Sequence, residues 1–475
     1  MTEAIKRFNA DILDPETRRK PVDIIYSIFA MVMLLHHIYV TVYYPVSYDR
    51  GWLIWAMVGF AVVTAALGKL WKDIRFWLLL ALLLLCTLRI DVSQEDAGTV
   101  RNEIFFIGLY AYFGCYGAGR ALKNPERFLM IFCAVWTAAM VVFSCLGIYT
   151  GVTGISIPNL GRKAFYIREF RLNPVYHFVE AGIMASAGIA VAALGFCICV
   201  KYAFKWLYVP AALVIFTAGA LTATRTGYVI NAMTISMMIC MVIYEKIPER
   251  FRRDGRQRVI AILLIIGLFG VMMILLTLLQ TKFLPAFQKF REQGGVLITR
   301  ALAEGEQDPS LQIVSRGFEM NEGVDGLMTG RLTIWKETMQ TIGQKPMILL
   351  WGESAHMPRE MEAINSIREA EGLYKIHHTH NEFIQILVEN GIPGLALFTA
   401  FIMLFLRDAY RLITNRTLRF WQRAIPIPAL GCLMAETVDI TARANGDLPQ
   451  MTILFLFIGF TAVLAGQRAP KGQEA

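Results

Sequence analysis

Residues 259–281 read VIAILLIIGLFGVMMILLTLLQT, twenty-three positions without a charged side chain. About 20 such residues, coiled as a helix, cross a bilayer core roughly 30 Å thick. Comparable apolar windows fall at 22–44, 52–68, 76–90, 104–119, 128–150, 176–199, 206–223, 226–245, 258–281, 382–406, 421–440 and 449–466. The chain of 475 residues is 56% hydrophobic and 17% charged. Its mean hydropathy is +0.49. A soluble domain carries about 25% charge. The expected fold class is therefore an all-α integral membrane protein of about twelve transmembrane helices. The pair of windows around Arg225 is separated by almost nothing and reads equally well as two half-buried helices.

The net charge of +9 has its explanation in membrane orientation rather than nucleic acid. Basic residues collect in alternate loops: Lys69, Lys72 and Arg75, then Arg120, Lys123 and Arg127, then Lys201 and Lys205. A dense set at Lys246–Arg258 and another at Arg407–Arg423 follow. Cytoplasmic loops carry the excess of Lys and Arg. Both termini are therefore expected in the cytoplasm, the N-terminal 1–21 leading into a retained first span and 467–475 forming a tail. Helices occupy 22–282 and 381–466, and the long polar segment 283–380 is expected outside. The eight cysteines fall in apolar or Gly-rich runs with no metal or redox spacing, so no disulfide framework is implied.

Within the long loop, Arg331–Ile342 has helical periodicity, with Trp335, Met339 and Ile342 on one face. Gly343 and Pro346 end it. It reads as a helix lying on lipid or packed on the spans. The stretch HHTHNEFIQILVENGIPG, residues 377–394, opens the next span. Thr379 and Glu382 have capping-box spacing, which predicts a helix start there. His380 then sits at the first turn, where free N–H groups attract anions and an uncharged imidazole can accept a proton. His377, His378 and His380 lack the one-face spacing of helical metal sites. Histidines merely exposed at a helix end are the plainer alternative.

Other charges fall where lipid makes them costly. Arg225 lies at the seam of two apolar runs, and an Arg at membrane depth costs about 2.5 kcal/mol or more. A snorkelling Arg is the alternative. Arg162, Lys163, Arg168 and Arg171 form a basic cluster on the side where basic residues are few. An anionic ligand or a plain solvated loop would account for it. Glu180, Glu436 and Asp439 are acidic positions in spans, with Asp447 just beyond and Arg443 near enough to pair. His36 and His37 in the first span read as packed or hydrogen-bonded.

The pattern His-Asn, nine residues, Gly-x-x-Gly is met by His380, Asn381, Gly391 and Gly394. It resembles the signature of the O-antigen ligase and O-antigen polymerase superfamily. Gly330-Arg331 with Trp335, followed by Lys345-Pro346 and Gly352, resembles that family's region just upstream. Thr224-Arg225-Thr226-Gly227 resembles its Ser-Arg-Gly segment, with Thr in place of Ser. The run Met347–Gly352 is one step longer than the family's short turn. The resemblance covers about 215–400; the N-terminal half agrees in hydropathy alone.

What the resemblance implies is a membrane-embedded, GT-C-like glycosyltransferase of the bacterial inner membrane. The donor would be an undecaprenyl-pyrophosphate-linked glycan and the acceptor a glycan, lipid or protein hydroxyl. The reaction would be inverting, with no metal or other cofactor and no nucleic-acid partner. By the same resemblance His380 orients or deprotonates the acceptor, Arg225 and Arg331 hold the donor pyrophosphate, and Arg162, Lys163, Arg168 and Arg171 are secondary contacts. A transporter or flippase for the same lipid-linked glycan shares the spans and the basic residues and remains the alternative.

Overall fold

A computed structural model describes residues 51–88, 97–122, 125–153, 157–159, 162–168, 171–173, 178–222, 224–247, 255–290, 331–344, 346–352, 365, 379–435, 437 and 448–466. The first apolar window, His36, His37, His377, His378, Glu436, Asp439, Arg443 and Asp447 lie outside the described residues. Six described helical segments are long and apolar enough to cross a membrane: Pro125–Val152, Ala181–Ile198, Ala203–Leu221, Arg225–Lys246, Leu263–Lys282 and Glu382–Thr414. Shorter apolar helices lie at Val58–Gly68, Ile74–Leu88 and Gln450–Gly466. The described chain divides into two compact units, one holding 126–290 and the other 51–125 with 331–466.

In the second unit α1 (Gly51–Gly68) and α2 (Ile74–Leu88) precede α3 (Ala97–Gly108), a π-helical stretch Leu109–Cys115 and α4 (Tyr116–Ala121). The earlier part of the first unit is α5 (Pro125–Thr153) and a three-stranded antiparallel sheet, β1 (Ile157–Asn159), β2 (Arg162–Arg168) and β3 (Arg171–Asn173). The sheet is a departure from the sequence reading, which treated this basic segment as a plain loop. Then come α6 (Phe178–Ile198), α7 (Tyr208–Leu221), α8 (Arg225–Lys246) and α9 (Gly255–Phe290). The second unit resumes with α10 (Arg331–Gln344), α11 (Met347–Trp351), α12 (Glu382–Thr414), α13 (Phe420–Ala424), α14 (Pro426–Ala435) and α15 (Leu448–Gly466).

Small residues and paired polar groups hold the first unit. Helix α6 is rich in Ala, Gly and Ser, so α7 and α8 can pack closely against it. Lipid offers no water to hydrogen-bond stray polar groups, so they must find partners inside. Ser186 and Thr234 hydroxyls meet at 2.6 Å. Gln280, wholly buried, donates to the Tyr228 carbonyl at 3.0 Å. Apart from such contacts, α9 buries almost nothing of its apolar stretch, as suits a helix facing lipid.

The second unit is organised around α15, which packs against α4, the π-helical stretch, α12 and α14. Its Thr452 hydroxyl meets Tyr110 of the π-helical stretch at 3.1 Å. At one end of the unit a buried ionic cluster joins three segments that are far apart in sequence. Asp73, between α1 and α2, accepts from Arg75 at 3.1 Å and also from Tyr116 and Arg120 of α4. Arg75 in turn pairs with Asp408 of α12, and Arg407 holds the same carboxylate at 3.1 Å. Burial pushes the Asp73 carboxyl up. The Tyr116 hydrogen bond and the Arg75 and Arg120 charges outweigh that and hold it below its ordinary value of 3.8.

Removing one member of such a cluster strands the others in a low-dielectric site, at a cost of about 3–5 kcal/mol. Asp73→Ala is therefore expected to lower the melting temperature in detergent markedly, whereas a change at exposed Lys72 is not. The sign of the pH effect follows from the depressed carboxyl. Its stabilisation is present above the unfolded carboxylate range and is lost as pH falls through the lower folded value. The gap in melting temperature between Asp73→Ala and wild type should therefore be narrower at pH 3 than at pH 7.

Candidate functional site

Helix α12 starts at Glu382, and its N-cap is Asn381, whose side chain accepts from the Ile384 N–H at 3.1 Å. The Thr379–Glu382 capping box expected from the sequence does not form. The reason is His380, whose φ of +52° turns the chain left-handed and brings Asn381 into extended geometry ahead of the helix. Thr379 instead donates its hydroxyl to the Asn381 carbonyl at 3.0 Å. The Asn381 amide also donates to the Thr437 carbonyl at 2.9 Å, which ties the cap to the chain beyond α14.

A left-handed backbone costs an L residue roughly 1–2 kcal/mol. Outliers of this kind persist where surrounding structure over-determines them, and they gather at functional sites. His380 is over-determined. The Thr379 carbonyl accepts from the Trp335 indole at 2.9 Å, and the Thr379 N–H donates to Gln385 at 2.9 Å. At about 0.5–1.5 kcal/mol net for each hydrogen bond, these contacts and the cap together can offset the strain.

Trp335 belongs to α10, so its hydrogen bond joins that helix to the His380 turn. Arg331 opens α10 one turn earlier, on the same flank as Trp335. It is buried at 7% exposure, together with Ile334, Thr338, Thr341 and Ile342. The buried face of α10 therefore differs from the expected Trp335–Met339–Ile342 stripe, and Met339 is exposed. A buried guanidinium and threonines need packed neighbours, so α10 is a helix packed on protein. Its Ile342 joins Ile348 of α11 and Leu387 and Val388 of α12 in one apolar cluster.

Gly391 of α12 and Gly352 at the end of α11 serve that packing. Gly391 breaks the helix at φ +65°, and a Cβ there would lie 2.8 Å from the Leu350 carbonyl carbon and the Trp351 nitrogen. Reciprocally, a Cβ on Gly352, at φ +73°, would lie 2.3 Å from the Glu389 carbonyl. The end of α11 thus rests directly on the backbone of α12, in contacts that only glycine permits. The longer Met347–Gly352 run is accommodated as the short helix α11.

In the other unit Arg225 is the first residue of α8, the helix that follows α7. Thr224 caps the helix by accepting from Gly227 N–H at 3.1 Å. A Cβ on Gly227 would fall 3.0 Å from Gly182 of α6, so the Thr-Arg-Thr-Gly segment is pressed against that helix. Arg225 is half-buried. The basic cluster lies on the sheet: Arg162 opens β2 opposite Asn159, Lys163 pairs with Pro158, and Arg168 pairs with Arg171 across the β2–β3 turn. Strand alternation separates position 163 from 162 and 168. Glu180 lies in the first turn of α6. Among the described residues no three His, Cys, Asp or Glu side chains cluster as metal ligands.

Within the second unit the structure joins the Arg331 helix to the His380 turn through Trp335. Arg225 and the basic strands belong to the first. The sequence reading missed Gln385 and Glu389, although an acid inside an apolar span is expensive and was a readable signal. It missed the Asp73–Asp408 cluster too, where the signal was a carboxylate at Asp408 amid the apolar α12.

The close contacts predict a graded outcome. Gly391→Ala should cause loss of folded protein, since it meets both a positive φ and opposing backbone. Gly343→Ala, whose added Cβ meets nothing within 4 Å, should be neutral or slightly stabilising. Detergent melting curves of the two variants check this.

A search of curated proteins finds no match. Residues 210–399, which include Arg225, Arg331, His380, Asn381, Gly391 and Gly394, match the O-antigen ligase family.

Proposed function

We propose that this protein transfers a glycan from an undecaprenyl-pyrophosphate carrier to an acceptor hydroxyl on the extracytoplasmic face of a bacterial inner membrane, as an O-antigen ligase or a polysaccharide polymerase. The observation that carries this reading is the family match at 210–399, which embraces Arg225, Arg331 and His380. The family match suggests glycan transfer in surface polysaccharide biosynthesis as the coarse function. The carrier, the face and the residue roles are our reading.

In that reading His380 takes the proton of the acceptor hydroxyl as its oxygen attacks the anomeric carbon. The bond from that carbon to the phosphate oxygen breaks on the opposite side, so the configuration inverts, and the carrier pyrophosphate departs with the electron pair. Arg225 and Arg331 are assigned to the negative charge that develops on it, because a guanidinium offers phosphate two parallel charge-assisted hydrogen bonds. Charge neutralisation of this kind stabilises the transition state. Arg162, Lys163, Arg168 and Arg171 are assigned to sugar or phosphate at a distance from the reacting bond. Neither a metal nor a nucleotide enters the scheme, since the donor is already activated.

The left-handed His380 backbone, between the hydrogen-bonded Thr379 and Asn381, supports a role that demands a fixed position for this residue. General-base catalysis contributes about 10²–10⁴-fold. His380→Ala should therefore lower transfer by that order while the protein remains abundant in the membrane. Arg331→Lys keeps the charge but loses the fork and should also impair transfer. Carrier-linked glycan accumulating in a deletion strain complemented with each variant is the readout. Normal surface glycan with His380→Ala would remove His380 from the chemistry. A glycan that crosses the membrane without any new glycosidic bond would favour a flippase.

A further inference from the structure

Thr379, Gln385 and Glu389 form a buried chain behind the His380 turn. The Thr379 N–H donates to the Gln385 carbonyl oxygen at 2.9 Å. The Gln385 amide nitrogen donates to a Glu389 carboxyl oxygen at 2.8 Å. Exposure is 0% for Thr379 and Gln385 and 2% for Glu389. Gln385 and Glu389 are four apart on α12, the spacing at which helical side chains meet.

The chemistry of these groups makes the chain directional. A backbone N–H only donates, so Gln385 must turn its oxygen toward Thr379. Its two amide hydrogens then point along the helix, where an acceptor is needed, and Glu389 supplies one. Were Glu389 apolar, the amide would keep buried hydrogens without this acceptor, and its oriented state would weaken. The Thr379 carbonyl is held from the other side by Trp335. Thr379 is thus clamped at both backbone groups immediately before the left-handed residue.

We infer that Gln385 and Glu389 are positioning residues, which hold His380 in its left-handed conformation through Thr379. This rests on the reading that His380 acts on the acceptor. A carboxyl within an apolar run of a span is expensive, and fixing the imagined flip of one amide gives it a use. An amide standing between the carboxyl and a backbone N–H has no proton to relay, so Glu389 acts as an acceptor and not as an acid or base.

The test uses the full-length protein in a strain lacking the chromosomal copy. Turnover of pulse-labelled carrier-linked glycan is measured per amount of protein, together with the carrier-linked glycan that co-purifies. Misplacing a reacting group by about 1 Å can cost on the order of 10²-fold in rate. Gln385→Leu and Glu389→Leu are expected to lose turnover on that scale while donor still co-purifies at the wild-type level. Glu389→Gln keeps an acceptor oxygen and should retain turnover within a few-fold. Gln385→Asn stays polar and shortens the reach to Thr379, so it should lower turnover at normal abundance even if the leucine variants fail to accumulate. Wild-type turnover in Gln385→Asn, or a Glu389→Gln variant as inactive as His380→Ala, overturns the inference. Undiminished turnover in His380→Ala overturns the parent reading instead, so the two failures are distinguishable.

Discussion

A helix that begins at the edge of the hydrocarbon must satisfy the N–H groups of its first turn, because lipid will not. At the start of α12 that constraint is met by Asn381, and much of the surrounding structure follows from it. The residue before that cap, His380, turns the chain left-handed, which keeps the helix from starting earlier. For His380 to stay so, Thr379 must be held, which requires Trp335 on one side and Gln385 on the other. Trp335 commits α10 to its place, and α11 follows by resting on the break at Gly391. Much of the signature is thus one mechanical unit: the His-Asn pair makes the cap, and Gly391 admits the chain that braces it.

The sequence was most legible where the physics is local. Apolar runs announced the helices, because hydropathy is additive over a window. The start of α12 and the end of α10 near Gly343 were readable from turn and cap chemistry. The capping residue itself was not, because Thr379 and Asn381 are both good caps and the choice depends on a backbone angle at His380. The buried face of α10 was misjudged for a related reason. Periodicity ranks residues by apolarity, whereas the burial of Arg331 and Thr338 depends on partners remote in sequence. The Asp73–Arg75–Asp408 cluster joins positions more than 300 apart, and no pattern within a window encodes it. The strands at 157–173 are short and basic, and they lack the apolar alternation by which a half-buried strand is recognised.

The residues proposed for the chemistry divide between the two units. The His380 turn and Arg331 share a set of contacts that a single substitution can disturb together. Arg225 sits in a separate, equally constrained setting, where Thr224 caps α8 and Gly227 presses on α6. Arg225 and Arg331 each open a helix, and His380 stands just before the cap of another. Helix N-termini carry partial positive charge and favour anions. The proposed discharge of a pyrophosphate is consistent with the proposed residues lying at such ends.

The central claim is that His380 works on the side of the membrane away from the cytoplasm. The most direct measurement is a pair of reporter fusions joined after residue 376, one to a phosphatase active only outside the cytoplasm and one to a fluorescent protein that matures only inside it. The account predicts phosphatase activity and no fluorescence. Bright fluorescence with an inactive phosphatase would put the imidazole on the wrong face and contradict it.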